Sequence, residues 1–64
     1  MILDVLYRSK APEQIQGVRL TTLYPNPDED GASHPELVIH FEEYTKSPRW
    51  IDLDDIQHVN FTND

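Results

Sequence analysis

Along the last third of the chain, Ile51, Leu53, Ile56, Val59 and Phe61 are separated by two, three, three and two positions. A strand repeats every two residues and a tight helical turn about every three. The spacing therefore predicts strand, one turn, strand, with Asp54 and Asp55 inside the turn. There a carboxylate can accept hydrogen bonds from the unpaired N–H groups of the first turn and sit favourably in its dipole. A single helix over 52–60 is the competing reading of the same apolar stripe. That stripe is thin, and Val59, Phe61 and Thr62 suit a pleated surface, so the turn between strands is preferred.

The rest of the chain follows the same logic. Met1 to Ser9 is apolar on both faces through Ile2, Leu3, Val5, Leu6 and Tyr7, which suits a strand with neighbours above and below, while Ile2, Val5 and Leu6 also share a helical face and leave a helix open there. Ala11 to Gly17 reads as a loop, with room for a helical turn begun at Pro12, because proline removes a donor and Gly17 admits turn conformations. Val18 to Tyr24 is a strand by composition, with Val18, Leu20, Thr22 and Tyr24 on one side and Arg19, Thr21 and Leu23 on the other. Pro25 to Pro35, with three prolines and a glycine, reads as an exposed loop. Leu37 to Tyr44 is the cleanest strand, Leu37, Ile39 and Phe41 facing a core and Val38, His40 and Glu42 facing away. Thr45 to Pro48 then turns the chain into Arg49 to Leu53, an antiparallel hairpin partner.

Sixty-four residues make one domain at most, spanning 1–64. A chain of that length buries only ~60% of its unfolded surface, so its stability margin is small. It has no cysteine, so neither a disulfide nor a thiolate metal site reinforces it. Five basic against twelve acidic side chains give a formal charge of −7, which opposes binding to phosphate backbones and anionic membranes. No stretch approaches the ~20 apolar residues of a membrane span. The expectation is a soluble, cytoplasmic protein that needs no cofactor.

Five short strands without an amphipathic helix predict an all-β class. A flat sheet this small leaves one face bare and two edges open, so closure into a small five-stranded barrel, with one helical turn before the last strand, is the expected solution. The strand opened by Gly17, the long loop, and the closing phrase carrying Ile51, Leu53, Asp54, Asp55, Ile56 and Val59 resemble the SH3-like barrels of YolD-like and WYL-type proteins. The resemblance covers the carboxyl-terminal third and implies an SH3-like barrel in an accessory protein of a bacterium or phage. The helical amino-terminal segment of YolD-like chains has no counterpart here, nor have the basic or aromatic ligand contacts of a WYL-type sensor. Roles in DNA-damage response or ligand sensing are accordingly not carried over.

The candidate chemistry is sparse. His34, His40 and His58 have no ligand-pair spacing, so they read as surface or edge residues rather than zinc ligands. Asp28-Glu29-Asp30-Gly31 has the look of a calcium loop, but the position eleven after Asp28, where a closing glutamate belongs, is Ile39. Glu42, Glu43, Asp52, Asp54 and Asp55 come near one another if the hairpin forms, yet no nucleophile, base or anion cradle accompanies them, so the chain is not expected to be an enzyme. Trp50, beside Arg49 and near Tyr44, either caps the core or anchors a protein interface.

Three functions are weighed. A non-catalytic protein-interaction module, an accessory of a bacterium or phage, leads, with Trp50, Tyr44, Arg49, Asp54 and Asp55 as its candidate contacts. An acidic inhibitor that mimics nucleic acid in a basic groove is the alternative. A nucleic-acid binder of OB- or Sm-like type needs a basic face, which only Arg8, Lys10, Arg19, Lys46 and Arg49 could supply, so direct nucleic-acid binding is disfavoured. Monomer and homodimer both remain open, because an open edge can be completed by a second copy.

Overall fold

A computed structural model describes residues 1–25 and 34–63. The described chain is all-β apart from one 3-10 turn: β1 (Ile2–Tyr7), β2 (Glu13–Ile15), β3 (Val18–Tyr24), β4 (Glu36–Phe41), β5 (Arg49–Asp52), the turn η1 (Leu53–Asp55) and β6 (Ile56–Thr62). Six strands thus form where the sequence predicts five. The extra one, β2, is three residues long and lies inside the segment read as a loop. Pro12 before it and Gly17 after it mask so short an alternation.

The strands make two antiparallel three-stranded sheets, ordered β2-β1-β6 and β3-β4-β5, rather than one closed five-stranded barrel. β2 with three residues and β5 with four are too short to carry a ladder around a closed circuit. The sheets are instead stitched at corners. Met1 and Val18 exchange backbone bonds of 2.9 Å, the Glu42 amide donates to the Gly17 carbonyl at 2.8 Å, and Arg8 N–H donates to the Asp55 carbonyl at 2.7 Å. Gly17 itself sits at φ 71°, the left-handed conformation that the β2–β3 turn requires and that a side chain resists.

Two β-bulges decide which side chains look inward. In β3 the register steps from Val18 opposite Phe41 to Leu20 opposite His40, so Arg19 is the extra residue. Directly opposed residues share a face, which puts Val18, Thr21 and Leu23 on the inner side and Leu20, Thr22 and Tyr24 on the outer side. The expected grouping of Val18 with Leu20, Thr22 and Tyr24 is therefore wrong, because strict alternation cannot anticipate a bulge. In β6 the step from His58 opposite Leu6 to Ile56 opposite Tyr7 makes Gln57 the extra residue. That bulge absorbs the three-residue interval between Ile56 and Val59, and both still face inward with Phe61. The Leu53-to-Ile56 interval is the 3-10 turn, so one apolar spacing has two physical origins and no helix over 52–60 exists.

Both sheets contribute to one core: Leu3, Val5, Tyr7, Ile15, Val18, Leu37, Ile39, Phe41 and Ile51, with Met1, Leu53, Ile56 and Val59 partly buried against it. Phe61 does not close it as expected. At 47% exposure it sits near the end of the β6 edge, where Leu3 is its only directly opposed neighbour. The predicted strand Leu37 to Tyr44 ends at Phe41, and residues from Glu42 onward bend into the hairpin turn. Among the described residues no helix is long and apolar enough to cross a membrane.

Candidate functional site

The β3-β4-β5 sheet buries its inner face, and its outer face carries the other residue of each alternating pair. The registers Thr22 with Val38, Val38 with Trp50, Tyr24 with Glu36, and Glu36 with Asp52 put these side chains, Leu20 and His40 on that outer surface. Trp50 and Tyr24 meet edge to face, their ring centroids 5.3 Å apart and their planes at 82°. The pair is half exposed, Trp50 at 52% and Tyr24 at 49%, whereas Val38 is 4% exposed on the same face. Trp50 is therefore neither a core residue nor a rim cap: it lies on an aromatic surface floored by a covered valine. Such a rigid amphipathic surface has large contact area and loses little conformational freedom on binding.

Polar groups border it. Thr22 Oγ1 and His40 Nε2 are 3.2 Å apart at one side. At the other, Glu36 and Asp52 stand directly opposite each other. Asp52 has a second role, because its carboxylate accepts from the Asp54 amide at 3.0 Å and caps η1. The expected capping by Asp54 and Asp55 thus falls to Asp52, two positions before Asp54. Asp54 is exposed, and Asp55 reaches the end of β1 instead, accepting from the Ser9 amide at 3.0 Å and the Ser9 hydroxyl at 2.6 Å. Its work is to hold η1 against the first strand.

Arg49 and Tyr44 do not join Trp50. Arg49 alternates to the inner side of β5, opposite Ile39, and grips Glu13 of β2 with two bonds of 2.7 and 3.1 Å. The Tyr7 hydroxyl donates to the same carboxylate at 2.7 Å. The guanidinium, then the phenol, hold the Glu13 carboxyl down at about 2. Burial, then the bond to Glu13, push the Tyr7 hydroxyl up to about 12, and Arg49 is raised by its bond to Glu13. This network ties the two sheets together. Tyr44 lies fully exposed in the β4–β5 turn, beside an open cleft of about 380 Å³ bordered by Arg19, Glu42, Lys46 and Pro48.

The five carboxylates expected to converge do not. Glu42 lies six positions along β4 from Glu36, the partner of Asp52, which at ~3.3 Å per residue is roughly 20 Å away. His34 and His58 are exposed, and no group of three or more His, Cys, Asp or Glu side chains could hold a metal among the described residues. Asp28 to Gly31 fall outside the described residues. Sequence reasoning found Trp50 but missed that Tyr24 and Val38 share its face, and it missed Glu13 altogether. The bulge at Arg19 hid the first relation, and a separation of 36 positions hid the bond between Glu13 and Arg49. No family model, curated protein or solved structure matches the chain.

Proposed function

We propose that this chain is a non-catalytic protein-interaction module, an accessory protein of a bacterium or phage, that binds another protein through the outer face of its β3-β4-β5 sheet. The observation that carries the reading is the half-exposed Tyr24–Trp50 pair above Val38. Exposed aromatic pairs of this kind are where interfaces concentrate their binding energy. An SH3-like plan is part of the same proposal. It is supported by β1 pairing with both β2 and the last strand, and by the 3-10 turn that leads into that strand.

The contacts named from sequence are revised accordingly. Trp50 stays, Tyr24 joins it, and Arg49, Asp54 and Asp55 give way to roles inside the fold or at its turn. Nucleic-acid mimicry draws no support from the acids of the β4–β5 hairpin, because Glu42 and Glu43 stand at the opposite end from Glu36 and Asp52. A basic face for nucleic acid is equally unsupported: Arg49 is held by Glu13, and Lys10 and Lys46 lie over the rings of Tyr7 and Phe41 at 4.4 and 4.2 Å.

Capture from native-host extract tests the proposal. Proteins retained by the wild-type chain are expected to be lost with Trp50→Ala and with Tyr24→Ala but kept with Tyr44→Ala, all variants having the same far-ultraviolet circular dichroism. Retention of the same proteins by Trp50→Ala would refute it.

A further inference from the structure

We infer that the open edge of β6 pairs with its own counterpart in a second copy of this chain, joining two β2-β1-β6 sheets into one continuous antiparallel sheet about a twofold axis beside Asn60. Among the described residues β6 pairs with β1 alone, so its other side presents unpaired N–H and C=O groups. This edge belongs to a different sheet from Tyr24 and Trp50, so either assignment can fail without the other.

The sheet edges differ in how they are guarded. Charged side chains, prolines, bulges and short length keep an edge from recruiting another strand. β2 is three residues long, carries Glu13 and follows Pro12. β5 is four residues long, carries Arg49 and Asp52 and follows Pro48. β3 has its Val18 backbone bonded to Met1, bulges at Arg19 and runs into Pro25. β6, by contrast, is seven residues long and has no Asp, Glu, Lys, Arg or Pro. Its bulge at Gln57 lies near the start and leaves His58 to Thr62 in regular register. Two chains of formal charge −7 repel each other, so they meet most readily where neither presents a charge.

The side chains fix both the occupant and the register. Directly opposed residues of an antiparallel pair share a face, so with Asn60 opposite Asn60 the inner Phe61 faces Val59 of the second copy. Across the joined sheet this makes the row Leu3, Phe61, then Val59 and Val5 of the second copy, apolar throughout, and the twofold repeats it. Phe61 is 47% exposed in one copy, with Leu3 opposite on one side only, and this row covers its bare side. On the outer side Asn60 meets Asn60 and His58 meets Thr62, so no like charges oppose. Centring the axis on Val59 instead sets Phe61 against Gln57, the bulge residue, and breaks the row. β6 is thus its own complement.

Sedimentation equilibrium of the full chain, taken up to about 1 mM, is expected to reach twice the 7.5 kDa monomer mass. A His58→Lys/Thr62→Lys double variant sets ammonium groups against each other across the seam while lowering the overall repulsion between copies, and it is expected to raise the dissociation constant at least about tenfold. Gln16→Lys/Ser47→Lys, the same charge change at exposed residues off the edge, is expected to raise it less than about twofold. The chain has no cysteine, so an introduced one reports the register. In a glutathione redox buffer Asn60→Cys is expected to form an interchain disulfide, its mate lying about 5 Å away across the axis. His58→Cys alone and Thr62→Cys alone are not, their mates being about 14 Å away along the strands, yet the two mixed together are expected to cross-link.

A monomer at every concentration overturns the inference, as do equal weakening by the two lysine variants and equal cross-linking at 58, 60 and 62. Assemblies larger than two copies overturn it as well, because a twofold edge pairing closes on itself. Should the seam lysine variant lose its far-ultraviolet circular dichroism, the cross-links alone decide, since the cysteine variants add no charge.

Discussion

Removing the Glu13 carboxylate by Glu13→Gln tests the network between the sheets most directly. In the folded chain Glu13 accepts two bonds from Arg49 and one from Tyr7, and its carboxyl is held from 4.5 down to about 2, with Lys10 adding to the same effect. At face value that difference is worth about 3 kcal/mol. The Glu13 and Arg49 side chains are 37% and 40% exposed, however, and solvent screening brings the contribution to about 1 kcal/mol. Because the folded value is depressed, the stabilisation is fully present above the unfolded value near 4.5 and is lost as pH falls toward 2. Urea unfolding of wild type and Glu13→Gln across this range should therefore give a difference of about 1 kcal/mol at about pH 7, or about 4–8 °C in melting temperature, that shrinks on the acid limb. Every other carboxylate is common to both proteins, so the difference isolates Glu13. A gap that stays constant from neutral pH to about pH 2, or no gap at neutral pH, would show that the Arg49 bonds contribute nothing to the folded state.

Four further outcomes follow from the same geometry. Asp55→Ala removes both Ser9 bonds and should cost about 1 kcal/mol in urea unfolding, whereas Asp54→Ala should stay within about 0.5 kcal/mol; equal effects would refute the division of labour in η1. Gly17→Ala should cost about 1 kcal/mol although an added Cβ meets nothing within 4 Å, because the strain is in the backbone, and Gly17→Asn should lose less in thermal unfolding. Leu3→Ala empties a fully buried site and should cost about 3 kcal/mol, enough to lose the near-ultraviolet circular dichroism of so small a domain at moderate temperature. Tyrosinate absorbance should show one of the three tyrosines titrating at about 12, a step absent from Tyr7→Phe. Since that value is raised in the fold, the associated stability is present below about pH 10 and lost as pH rises through about 12.

Much of this molecule is set by short-range chemistry that can be read along the chain. Period-two runs around Val18 and Leu37, the break at Gly17, and the three-residue step from Leu53 to Ile56 suffice for an all-β chain with one turn before its last strand. They also single out Trp50, an aromatic side chain with no place assigned in the inner alternation. Tertiary structure alone decides the rest. The bulges at Arg19 and Gln57 exist because each strand must bend around a shared core, and they alone bring Tyr24 to the face of Trp50 and turn Ile56 and Val59 inward together. β2 is too short to show a pattern and owes its place to pairing with β1. Arg49 reads as a neighbour of Trp50, yet alternation sends it to the other side of the sheet, where the packing of two sheets delivers Glu13 from 36 positions away. Local pattern thus determines which residues can lie on a surface; which surface they share depends on register and packing, and those are properties of the assembled sheets.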